Sequence, residues 1–171
     1  QQPPQPPQPP PSKKNQCYIF ITAKTNHFRN LATSQLHPST TDQVLEIGCS
    51  NGECSTAIAP YCKKFIGFDT SVQMIEEAKE KMKLRMQKEN RFECCCEYMF
   101  HVIDPFIDPN QAKMIAYGVN VVLIDIGGNR EIDSVILMID WVQESLPDVM
   151  LIIVKSEEMF ECIEALTQRN R

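Results

Sequence analysis

The stretch VLEIGCSNGECS, residues 44–55, restricts the fold of this chain more than any other. A short run of β-formers ends in an acid, Glu46, and then meets two glycines four positions apart, Gly48 and Gly52. Gly48 reaches backbone conformations closed to other residues and presents bare backbone, and Gly52 lets the chain turn tightly into the next segment. Residues 53–61 suit a helix with Pro60 near its end. A strand turning this sharply into a helix is the first half of a parallel strand–helix–strand unit. A plain structural turn would use the same glycines, so the loop does not by itself name a ligand.

The rest of the chain continues the alternation. Residues 65–68 read as a second strand. Over residues 71–86, Val72, Ile75, Ala78, Met82 and Met86 recur at spacings of three and four, the period of a helix. Residues 91–96 read as a weaker third strand, and residues 101–117, with two prolines and no clear period, as a loop with about one helical turn. VNVVLIDI, residues 119–126, is nearly continuous in apolar residues, as in a strand buried on both faces. Ile132, Val135, Ile136, Ile139, Val142 and Leu146 mark the next helix, and residues 150–154 a fifth strand. Ser156 caps a last helix, with Glu157 and Glu158 where the helix dipole favours anions. Five strands separated by helices make an α/β parallel sheet with right-handed crossovers.

In such a sheet a ligand sits beyond the carboxyl ends of the strands, where strand order reverses. FIGFD, residues 65–69, ends a strand in an acid about twenty residues after the first loop, and an acid there can accept both hydroxyls of a ribose. The first loop is G-x-x-x-G rather than G-x-G-x-x-G, which disfavours a pyrophosphate and a nicotinamide dehydrogenase. A nucleoside without phosphates fits better.

VLEIGCSNGECSTAIA followed by FIGFDTSVQMIEEAKEK resembles the first two motifs of the class I S-adenosylmethionine-dependent methyltransferases, a likeness running over roughly residues 42–160. The resemblance implies a doubly wound, mainly parallel Rossmann-like sheet with helices on both faces. It implies S-adenosyl-L-methionine as cofactor, with Glu46 meeting the methionine amine directly or through water. Gly48, Cys49 and Gly52 would line the methionine part through their backbone. Asp69 would hold the ribose, beside Thr70 or Ser71. Ser50 stands where the family usually has another glycine. Glu97, or Cys96 one residue earlier, is the candidate for the adenine amino group, and a surface glutamate near a strand end would look the same.

The family's fourth strand supplies groups for the reaction, and here it ends in LIDIGGNRE. Asp125 and Lys155, the latter just after the fifth strand, are the catalytic candidates. Their placement is similar to that in FtsJ-like ribose 2′-O-methyltransferases, with Lys24 matching a second lysine of that set and no clear match for its closing glutamate. Asp125 as the cap of the next helix is the alternative. VKSEE does not resemble the metal ligands of catechol-type relatives, so no metal is expected. The acceptor stays open, with RNA among the candidates. The competing reading is a non-catalytic cofactor-binding or interaction module of the same fold.

Family members normally continue into an antiparallel C-terminal hairpin, and this chain stops after its last helix, so a sheet without that hairpin is expected. CYIFITA, residues 17–23, is apolar, β-branched and otherwise unassigned. It is expected to cover a sheet edge, beside residues 150–154, because an unpaired apolar edge is an aggregation liability. Residues 1–16 read as a Pro/Gln-rich disordered tail and 17–171 as the methyltransferase-like domain. Proline favours extended polyproline II, so the tail cannot join a core, and a proline-recognising domain is a candidate partner for it. The first residue is not methionine, which fits a fragment or a processed chain.

A net charge of −5 argues against strong general affinity for phosphate backbones, although Lys79 to Lys88 holds five basic residues. Eight cysteines include no C-x-x-C pair, so they read as reduced thiols in a reducing, cytoplasmic setting. No apolar run approaches the length of a membrane span.

Overall fold

The structure is a computed structural model and describes residues 16–36, 42–88, 96–126 and 131–169. The proline-rich tail, most of the expected strand at 91–96 and the loop residues Gly127, Gly128, Asn129 and Arg130 lie outside the described residues.

Six strands form one sheet: β1 (Tyr18–Thr22), β2 (Gln43–Ile47), β3 (Lys64–Asp69), β4 (Glu97–Val102), β5 (Val121–Ile124) and β6 (Leu151–Lys155). Their order is β1-β6-β5-β2-β3-β4, and every neighbouring pair is parallel. The helices are α1 (Thr25–Gln35), α2 (Glu53–Ile58, extended by a 3-10 turn, Ala59–Tyr61), α3 (Val72–Lys88), α4 (Pro109–Ile115), α5 (Ile132–Ser145) and α6 (Glu157–Arg169).

Alternation along the strands splits the core in two. On one face Val44, Phe65 and Ile153 pack with Phe28 of α1, Ile58 of α2 and Ile75 and Met82 of α3. On the other Leu45, Ile66 and Ile152 pack with Ala112 of α4, Met138 and Val142 of α5 and Met159 of α6. All four residues of β5 are buried, as its unbroken apolar run requires. The doubly wound sheet with helices on both faces is as expected, and among the described residues no strands pair antiparallel.

The run at 17–23 does form a strand. β1 pairs with β6 in the register Tyr18↔Leu151 to Thr22↔Lys155, and the Tyr18 amide donates to the Met150 carbonyl at 2.9 Å. It covers the edge of β6 and becomes the terminal strand itself.

The segment after α3 differs from the expectation. β4 begins at Glu97, where the sequence reading placed a strand end, and runs into the stretch read as a loop. Its alternation is hard to see because the strand is an edge: Phe100 is buried while Glu97 and Val102 are exposed. α4 also lies within that supposed loop. Asp108 caps it by accepting from the Gln111 amide at 3.1 Å, and Pro109 fills its first turn.

Candidate functional site

From β2 the chain winds outward through β3 to β4, and from β5 in the opposite direction to β6. The carboxyl ends of β2 and β5 therefore flank the point where the winding reverses, the place for a ligand in such sheets. There β2 and β5 nearly touch. Gly48 has φ of 86°, and a Cβ built on it would lie 2.2 Å from the Asp125 carbonyl oxygen. The amides of Gly48 and Cys49 both donate to the Phe68 carbonyl, at 2.8 and 2.9 Å, tying the loop to the end of β3. Gly52, with φ of 77°, turns the chain into α2, and a Cβ there would stand 2.9 Å from the Cβ of Ala78.

Asp69, the last residue of β3, is held by two backbone donors. Its Oδ2 accepts from the Ser50 amide at 2.8 Å and its Oδ1 from the Ser71 amide at 2.9 Å. Each oxygen keeps acceptor capacity, since a carboxylate offers about four lone-pair sites. Ser50 is in the left-handed region at φ 47°, which explains why glycine is usual at that position and shows that serine reaches it. Its hydroxyl lies 3.7 Å from the Met74 sulfur.

A cavity of about 320 Å³ opens beside these groups, lined among others by Gly48, Asp69, Thr70, Asp104, Phe106 and Asp125. Three carboxylates face it. At its β5–β6 side Lys155 donates to both oxygens of Asp125, at 2.9 and 3.1 Å. Asp125 is therefore not the cap of α5; Glu131 occupies that position. Lys24 follows β1 by two residues, on the same edge of the sheet as Lys155, whose register partner is Thr22.

Several expected residues sit elsewhere. Glu46 does not line the cavity: it alternates with Ile47, points toward α2, is 1% exposed and accepts from the Ser55 hydroxyl at 2.5 Å. Burial pushes its carboxyl up to about 7, with the charge of Asp125 adding to the effect and Ser55, Cys54 and Arg29 opposing it. Cys49 is buried below the loop, where burial pushes its thiol far up. Cys49 and Gly52 thus shape the loop from beneath; Gly48 and Ser50 are its cavity-facing members.

Glu97 and Cys96, the residues expected at the adenine, do not line the cavity. Glu97 is the register partner of Lys64, at the amino end of the sheet. Five residues of strand separate it from the carboxyl end, roughly 16 Å. The acid that does stand at the end of β4 is Asp104, which sequence reasoning missed. Its Oδ1 accepts from the Phe106 amide at 3.0 Å. The signal was available in IDP, an acid after an apolar residue and before a proline, once β4 is shifted six residues along. Among the described residues no group of three or more His, Cys, Asp or Glu is arranged to hold a metal ion.

The strand order, the acid–glycine loop and the acid closing the next strand make a doubly wound Rossmann-like α/β sheet, the fold also found in class I S-adenosylmethionine-dependent methyltransferases. Residues 44–105 match a family model described as a methyltransferase domain. Among solved structures, precorrin 8w decarboxylase from Methanobacterium thermoautotrophicum is similar over 86% of this chain and 73% of its own, at 15% identity and a TM-score of 0.55. Precorrin-6y C5,15-methyltransferase from Geobacter metallireducens matches over 88% and 77%, at 15% identity and a TM-score of 0.53. A SAM-dependent methyltransferase from Agrobacterium tumefaciens matches over 75% of this chain, which spans 42% of that protein, at 18% identity and a TM-score of 0.54. No curated protein matches the sequence. No helix among the described residues is long and apolar enough to cross a membrane.

Proposed function

We propose that the cavity binds S-adenosylmethionine and that the chain transfers its methyl group to an acceptor held over Asp125 and Lys155. The observation that carries this reading is Asp69, fixed by two backbone amides with spare acceptor capacity toward the cavity. The donor set suits the cofactor. Three carboxylates against one lysine favour a ligand carrying a sulfonium and an ammonium, and Gly48 lets the loop lie against the Asp125 backbone at the cavity wall. Asp69 would take the ribose hydroxyls, Asp104 the adenine side, and the Gly48–Ser50 backbone the methionine part. Glu46 acts from beneath, through the loop it supports.

When bound, the cofactor supplies an electrophilic methyl group. Asp125 then accepts a hydrogen bond from the acceptor's O–H or N–H, and Lys155 holds the Asp125 carboxylate in one orientation. Lys24 lies at the same edge of the sheet, two residues after β1, and RNA stays among the candidate acceptors. The test is transfer of a labelled methyl group into RNA, protein and small-molecule pools. The wild-type chain labels one pool, and Asp125→Asn and Lys155→Ala each lower the rate by about 10²-fold, the lower end for loss of a proton-handling group. Cofactor binding with no labelled pool would replace this reading with that of a non-catalytic module.

A further inference from the structure

At the amino ends of β3 and β4, far from the cavity, two buried thiols face each other. Cys62 follows the 3-10 turn after α2, and Cys96 immediately precedes β4. Their sulfurs are 3.8 Å apart, and the residues are 6% and 9% exposed. The backbone around them is locked by the Glu97 amide donating to the Lys63 carbonyl at 2.9 Å. The two cysteine backbones are thus held side by side. Of the other described cysteines, Cys49 and Cys54 are buried around the loop after β2, while Cys17 and Cys162 are more accessible.

We propose that Cys62 and Cys96 are an oxidative modification site, which a peroxide converts into an intramolecular disulfide between the feet of β3 and β4. The Cys96 thiolate attacks one peroxide oxygen, the O–O bond breaks, and a sulfenic acid forms as one water leaves. The Cys62 thiol then attacks that sulfur, the S–O bond breaks, and a second water leaves. Two thiols lose two electrons and two protons, and hydrogen peroxide is reduced to two waters. Cys96 is suited to the first step, because the hydrogen bond from Cys62 pulls its thiol below the ordinary range against the opposing effect of burial. A disulfide needs its sulfurs about 2.05 Å apart, so they must close by less than 2 Å. The bond would enclose β3 and α3, and with them Asp69. Closing a loop of this length constrains the unfolded chain and raises the melting temperature.

The test uses the full chain, first reduced and then exposed to stoichiometric hydrogen peroxide, and does not require that the chain bind a cofactor or transfer a methyl group. Intact mass should show the loss of two hydrogens, reversed by dithiothreitol, and fragmentation should place the link between Cys62 and Cys96. Cys96→Ser and Cys62→Ala should each abolish the loss. The double variant Cys94→Ser/Cys95→Ser, at positions outside the described residues, should keep it. An unchanged mass, oxygen additions without the link, or a two-hydrogen loss that persists in Cys96→Ser would overturn the assignment. Fragmentation of the wild-type chain decides the matter even if a variant fails to fold.

Discussion

Glu46→Gln isolates the most strongly perturbed carboxyl beneath the candidate site. In the folded chain Glu46 is raised from an ordinary 4.5 to about 7, chiefly because burial penalises its charge. The sign is set by linkage. Between those two values the unfolded chain releases a proton that the folded chain keeps, so stability falls as pH rises through this window and levels off above it. Each pH unit in the window costs about 1.4 kcal/mol, so the whole penalty is about 3 kcal/mol. Glutamine keeps an oxygen to accept from Ser55 and carries no titrating proton. The variant should therefore gain about 2–3 kcal/mol relative to the wild-type chain between pH 5 and pH 8. His101 works in the other direction, because burial, aided by the charge of Lys79, lowers its value, so stability rises with pH toward its ordinary 6.5. That effect is common to both proteins and cancels in the difference. Urea unfolding at four pH values, monitored by circular dichroism, provides the comparison. Parallel pH profiles for the two proteins would refute the reasoning and mean that Glu46 is ionised in the folded chain throughout.

Two further outcomes rest on backbone geometry. Gly48→Ala places a Cβ 2.2 Å from the Asp125 carbonyl at a φ of 86°, so unfolding experiments should show a loss of about 2–3 kcal/mol. In β1, a parallel edge strand, alternate amides point to β6. Hydrogen exchange should therefore protect Tyr18 and Phe20 well above Ile19 and Ile21, and uniform rapid exchange across β1 would contradict its pairing.

What the sequence disclosed depended on how far burial shaped each segment. β5 is buried on both faces and reads as an unbroken apolar run, and α3 buries Ile75, Ala78 and Met82 on one face, so its period shows. β1 was legible because CYIFITA had no other use. β4 was not, because an edge strand with a histidine and an exposed glutamate lacks a clean alternation, and Glu97, read as following a strand, instead begins one. The residue types at Asp69, Asp125 and Lys155 pointed to the cavity because strand ends fix their position. The direction of Glu46 could not be read from its position next to Gly48. A strand's alternation places it on the α2 side only once Ile47 is known to face α5.

The central claim is that this cavity holds S-adenosylmethionine through Asp69, and calorimetry with S-adenosylhomocysteine tests it most directly. The wild-type chain should bind at one site, and Asp69→Ala should weaken binding about tenfold or more, as expected for loss of a charged hydrogen-bond pair. No binding to the wild-type chain, or equal affinity in Asp69→Ala, would contradict the account.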